Sequence, residues 1–305
     1  MTVTASWIQQ GGRVEPYVSL NEVKFSASAA AVDFSNLIEN GSAAVQDRAL
    51  SELIVRASAM ADRFTMGQYG TLNATSNPEN GRYRPNRLAQ IVINPYFTPI
   101  IGVTDFQCGW GPGTGLYEIP LTASNCSIER EQFIITQASS VGLEVGPLTV
   151  AGGNWSSNAE LFCQWTYLNG YANSFTTATS AVGATSITLS DTTGIFAGMN
   201  LTVWDGMNDE YVQVASVAGN VVTLSASLSF AHGVGVNVSA MPADVKQAVI
   251  HFVIGLVKQR GQGGIVISET GEPIATTPKA QNSMEDFVMA YDLLQPFKVV
   301  WGRSS

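Results

Sequence analysis

PADVKQAVIHFVIGLVKQRG, residues 242–261, reads as one helix with both ends marked. Pro242 suits a first helical position and Asp244 favours the positive end of the helix dipole. Lys258 and Arg260 favour the other end, and Gly261 stops it. Val245, Val249, Phe252 and Leu256 align on one face, with Ala248 and Val253 beside them. That stripe needs cover. A second helix, residues 42–64, supplies it: Val45, Ala49, Leu53, Ala57, Met60 and Phe64 recur at three- and four-residue steps, while Gln46, Asp47, Arg48, Glu52, Arg56 and Arg63 fall largely elsewhere. The two helices are expected to pack together, with Leu53, Ala57, Val249 and Phe252 in the shared core.

Ahead of them, YVSLNEVKF (17–25) carries a capping pattern, Ser19 as N-cap and Glu22 three residues on. Residues 67–86, rich in Gly, Asn, Ser and Pro, read as a long loop. Strands are expected at 100–107, 116–121, 132–136 and 159–167. A further β-unit spans 176–240, assembled from TSITLSD, MNLTVWD, EYVQVAS, NVVTL and VGVNVSA, with turns at Asp205-Gly206 and Ala218-Gly219-Asn220. Its entry, TTATSAVGAT, looks like a linker. The expected fold is α+β: a small helical bundle interrupted by antiparallel β-structure and by an inserted small β-barrel or sandwich. The expected divisions are 1–87, 88–175, 176–240, 241–261 and 262–305.

The last division begins with a Gly- and Pro-rich stretch and continues into a short helix near 284–295. There Phe287, Tyr291 and Leu294 share a face, Ser283 is the N-cap and Pro296 the stop. Such a helix is too short to stand alone in water. It therefore either docks elsewhere, with Phe297 and Trp301 adding anchors, or folds back on its own chain.

The chain has 305 residues, 45% hydrophobic and 13% charged, with a net charge of −9. That balance argues against a protein that grips nucleic acid through phosphate neutralisation, because such footprints are strongly basic. No run approaches the roughly 20 apolar residues of a membrane span. The opening MTVTASWIQQGG has neither a basic nor an apolar leader region, so synthesis in a reducing cytoplasm is expected. Cys108, Cys126 and Cys163 are widely spaced and lack a CxxC pattern, which suits buried free thiols.

No catalytic, cofactor or metal site stands out. GWGPGTG (109–115) lacks the Lys and Ser/Thr of a phosphate loop. DGMNDE (205–210) lacks calcium-loop spacing and reads as a solvated turn. His232 and His251 have ordinary explanations in a loop and a helix. Arg82, Arg84 and Arg87 flank Tyr83, and two readings stay open for them: contact with DNA phosphate or salt bridges between subunits. Trp110, Trp155, Trp165 and Trp204 among strands leave a carbohydrate-binding or carbohydrate-active β-protein as the alternative function.

The order of YVSLNEVK, then DRALSELIVRASAMADRFT, then strands, then MPADVKQAVIHFVIGLVKQRG resembles the head-tail connector, or adaptor, family of tailed bacteriophages. The stretch from 180 to 214 resembles a small accessory domain of some phage structural proteins. The resemblance touches the N-terminal third and residues 165–261. It implies an adaptor-type helical bundle and a non-catalytic virion protein at the neck. It further implies a ring, dodecameric in that family, below the portal protein and around passing double-stranded DNA, read without sequence specificity. A stopper or tail-completion protein would attach below. Under it, Phe287, Tyr291, Leu294, Phe297 and Trp301 become an arm that docks on the portal or a neighbour.

Overall fold

The computed structural model describes residues 15–30, 32–35, 37–38, 40–67, 70–88, 90–109, 111, 116–129, 131–136, 160–260 and 279–299. The chain divides into two compact units, one built on residues 73–171 and the other joining 15–72 with 172–298. The divisions thus fall at 72/73 and 171/172. The strands of 176–240 fall in the same unit as the helices and enclose a core of their own.

The first unit is β-structure. Its strands are β1 (Thr75–Tyr83), β2 (Gln90–Ile93), β3 (Ile100–Gly109), β4 (Tyr117–Glu118), β5 (Cys126–Glu129), β6 (Gln132–Thr136) and β7 (Leu161–Asn169). Among the described residues they make two antiparallel sheets, ordered β1-β7-β3-β4 and β2-β6-β5. Ile91, Phe106, Phe133, Leu161, Trp165 and Tyr167 form the core they share. The loop expected over 67–86 is corrected here: TSNPENGRY is a nine-residue strand paired from Thr75↔Asn169 to Tyr83↔Leu161. Its composition opposes a strand, but the long partner β7 satisfies its backbone. Pro78 is tolerated because β1 lies at the sheet's edge. The strand expected over 116–121 shortens to Tyr117–Glu118, and β2 and β5 escaped the sequence reading.

The second unit is α+β. Helix α1 (Leu20–Phe25) carries the expected capping box, Ser19 and Glu22 each bonding the other's backbone. Helix α2 (Ala43–Thr65) buries Ala49, Leu50, Leu53, Ile54, Ala57 and Ala61. Its inner face is thus rotated from the one expected, with Val45 40% exposed and Leu50 and Ile54 inside. Helix α3 (Ala243–Arg260) packs against α2, as expected, and against α4 (Lys279–Leu294). Leu53, Ala57, Val249 and Phe252 are all buried. Cover from more than one side explains why Ala248 through Ile254 are buried all round α3 and not along a single stripe.

Six strands complete this unit: β8 (Asn173–Phe175), β9 (Ser186–Thr188), β10 (Asn200–Trp204), β11 (Glu210–Ala218), β12 (Val221–Leu224) and β13 (Asn237–Ser239). Among the described residues they form one antiparallel sheet, β8-β13-β10-β11-β12-β9. A bridge from Thr176 to Leu189 draws its two edges together, which curls it into a half-barrel around Ile187, Leu201, Val203, Val222 and Val238. Gly206 and Gly219 take positive φ at the two expected turns. The expected linker TTATSAVGAT is instead bound structure. Thr176, Thr177, Ser180 and Gly183 donate backbone hydrogen bonds to Val236, Thr188, His232 and Leu228.

Candidate functional site

Lys246 lies at the meeting point of α1, α3 and the half-barrel, almost wholly buried. Its ammonium donates to Glu22 Oε1 at 2.6 Å, Asn237 Oδ1 at 2.6 Å and the Tyr17 carbonyl at 3.0 Å, and sits 4.7 Å above the Trp204 ring. Burial pushes Glu22 up and Lys246 down, each towards its neutral form, and their mutual attraction opposes both shifts. Asn237 passes the contact on to Asn173 at 2.8 Å, and Asn173 bonds the Pro16 carbonyl at 3.1 Å. The cluster thus ties the segment ahead of α1 to the sheet.

A second buried network holds the same segment to α2. The Tyr17 hydroxyl donates to Asp62, which also accepts from the Leu72 backbone at 2.8 Å. Desolvation raises Asp62 to about 6, although hydrogen bonds from Tyr17, Leu72 and Thr71 pull it back.

The DGMNDE turn differs from the solvated turn expected. Asp209 accepts from the Asp205 and Gly206 backbone amides. Asp205 and Glu210 then clamp His232: Nδ1 lies 2.9 Å from Asp205 Oδ2 and Nε2 lies 2.7 Å from Glu210 Oε1, with the imidazole wholly buried. Burial works to raise Glu210, but the Ser229 amide, His232 and the Phe230 amide outweigh it and hold the carboxyl below its usual range. Both ring nitrogens are occupied, so the clamp fastens the 228–232 loop to the β10–β11 turn. His251 is likewise tied, 3.3 Å from Asp286, which also accepts from Lys258 at 2.7 Å and so joins α3 to α4.

Of the two arrangements expected for the C-terminal helix, the structure packs it on its own chain, with Leu294 buried, Phe287 half-buried and Tyr291 still 39% exposed. Phe287 stacks 6.0 Å from Phe252, Tyr291 lies 5.2 Å from Phe252 and 4.8 Å from Phe64, and Leu294 is fully buried. The apolar surfaces of α3 and α2 are the nearest cover for that face, so α4 folds back on its own chain. It begins at Lys279, ahead of the expected Ser283 cap. Its outward side carries Met284, Val288 and Met289. Phe297, in a 3-10 turn after α4, is half-buried, and Trp301 lies outside the described residues.

In the β-unit, Arg82, Arg84 and Arg87 are all exposed. Glu79 points to the opposite, inner side of β1, where it accepts from the Tyr167 hydroxyl and the Tyr96 amide, and burial raises it to about 7. Cys108 and Cys163 face each other across β3 and β7 as buried free thiols. Burial pushes Cys108 up to about 12 and Cys163 well up also, the reverse of what makes a reactive thiolate.

Trp165 is core, against Tyr83 and Phe133, and Trp204 lies beneath Lys246. Trp110 and Trp155 lie outside the described residues, as does most of GWGPGTG. The sequence named Arg82, Arg84 and Arg87, and placed Glu22 in a capping box and Glu210 in a turn, but missed Lys246 and the pairing of Glu22 with Lys246 and of Glu210 with His232. One signal was available, a Lys on the apolar face of a helix. Scans of family models, characterised proteins and solved structures find no match to this chain.

Proposed function

We propose that this chain is a structural head-tail adaptor of a tailed phage, a ring subunit below the portal that extends the DNA channel and receives a stopper or tail protein. The observation that carries the reading is the Glu22–Lys246 pair. It joins YVSLNEVK to MPADVKQAVIHFVIGLVKQRG, two of the segments on which the adaptor resemblance rests, across more than two hundred residues of chain. The third, DRALSELIVRASAMADRFT, is α2, which packs on α3 in the same unit. Segments that resemble one family in their order thus also share one core, which supports reading them as a single adaptor body. The groups at the centre of that core are spent on holding it together, which suits a part of a scaffold.

The test is light scattering on the purified chain with and without its portal protein, followed by negative-stain imaging. A portal-dependent complex with ring-shaped particles is the expected result. A monomer that ignores the portal, or saturable hydrolysis of a glycan by the chain, would overturn the reading.

A further inference from the structure

We infer that Arg82, Arg84 and Arg87 form a compact phosphate-gripping edge for double-stranded nucleic acid. The adaptor reading supplies only the source of the duplex; the surface itself is argued from the β-unit alone.

Along β1 the buried residues are Asn77 and Glu79, and Asn80 and Arg82 face outward with Ser76 and Pro78. Arg84 precedes Pro85, which holds its backbone extended, so it continues that alternation. Arg82 and Arg84 then stand on one face about 7 Å apart, two strand residues along. Pro85 is buried and anchors the chain. Asn86 then builds a turn: its Oδ1 accepts from the Leu88 amide at 2.8 Å and the Gln90 amide at 3.0 Å, and its Nδ2 donates to Gln90 Oε1. The turn presents Arg87 outward, so the three guanidinium groups leave a braced backbone.

None of the three makes an ion pair or hydrogen bond among the described residues. The nearest carboxylate in register is Glu160, just beyond the Tyr83↔Leu161 pair and opposite Arg84. Glu118 lies on β4, three strands from β1 and therefore about 14 Å away. Asp105 faces Thr166 and Pro78, two strands across and four residues along, which is roughly 16 Å from Arg82. Both distances exceed the screening length of about 8 Å at physiological salt. Glu129 and Glu131 sit at the far end of the β2–β6 pair from Gln90. Among the described residues, the outer face here thus carries three cations against one carboxylate, with Glu79 on the inner face of β1, on a chain of net charge −9. Guanidinium forks match phosphate oxygens, and three of them suffice for weak contact with a phosphodiester backbone without reading bases. Such a grip neutralises backbone charge without fixing register and so lets the duplex slide.

The experiment is fluorescence anisotropy of a labelled random-sequence duplex titrated with the full chain over a range of salt. The expected result is non-specific binding whose log affinity falls with log salt at a slope of about −2.7, from three contacts at about −0.9 each. The R82Q/R84Q/R87Q variant should bind about ten-fold more weakly or worse, with a nearly flat slope and an unchanged melting temperature and mass. E160Q should tighten binding. No binding by the native chain at low salt overturns the proposal, as does equal binding by the triple variant. A triple variant that loses self-association would also overturn it, by showing that these arginines bridge copies of the chain. The titration contains no portal, so a failed adaptor reading leaves its outcome intact.

Discussion

Lys246 Nζ lies 2.6 Å from Glu22 Oε1, and both side chains are almost wholly removed from solvent. A buried pair of this kind adds little net stability, because desolvation of two charges offsets their attraction, but removing one partner strands the other. Lys246→Met should therefore cost about 3 to 5 kcal/mol. Adding Glu22→Gln, which keeps the capping-box pattern, should recover a large part of that loss. Urea denaturation of the two single variants and the double variant closes the cycle. Additive costs would mean that the two charges do not depend on each other.

Gly255 lets α4 approach α3. A Cβ built there would meet the Phe287 ring at 3.0 Å. Replacing an interior helix glycine ordinarily gains up to about 1 kcal/mol. Here Gly255→Val should instead cost about 1 to 3 kcal/mol through overpacking, and Phe287→Leu in the same chain should relieve part of it. A stabilised valine variant in thermal unfolding would disprove the close approach.

Cutting the chain after Arg260 removes α4 and uncovers Phe252 and Phe64, which Phe287 and Tyr291 now cover. The truncated protein should lose several kcal/mol of stability or aggregate, since large apolar side chains are returned to water at about 1.5 to 3 kcal/mol each. An unchanged melting curve would instead favour the docking arm.

Asp62, raised to about 6, and Glu79, raised to about 7, both bind protons more tightly folded than unfolded. Their contribution is fully present below about pH 4, near their unfolded values, and is lost as pH rises through about 6 and 7 respectively. Asp62→Asn and Glu79→Gln should each remove a fall in unfolding free energy, on the order of 3 kcal/mol, between about pH 4 and pH 7. Glu210, held low, works the other way: its contribution is present above its unfolded value and is lost as pH falls through its lower folded one. Stability curves of the variants that run parallel to the native curve would show that burial does not raise the two carboxyls.

Local signals in the sequence were enough for α2, α3, the Ser19–Glu22 capping box, β6 and the two glycine turns of the half-barrel. In each, periodicity, an end signal or a turn residue acts within a few positions. Tertiary pairing alone made a strand of TSNPENGRY, because its ladder depends on β7, some eighty residues on. The same distance hid the sites: nothing around Lys246 announces Glu22, and nothing in DGMNDE announces His232. Three-dimensional packing also set Phe287 and Leu294 against α3 and α2, with Tyr291 at the edge of the contact, since an apolar helix face goes to whichever surface lies within reach. A sequence shows that such a face needs covering. Which surface covers it is decided by where the rest of the chain has already folded.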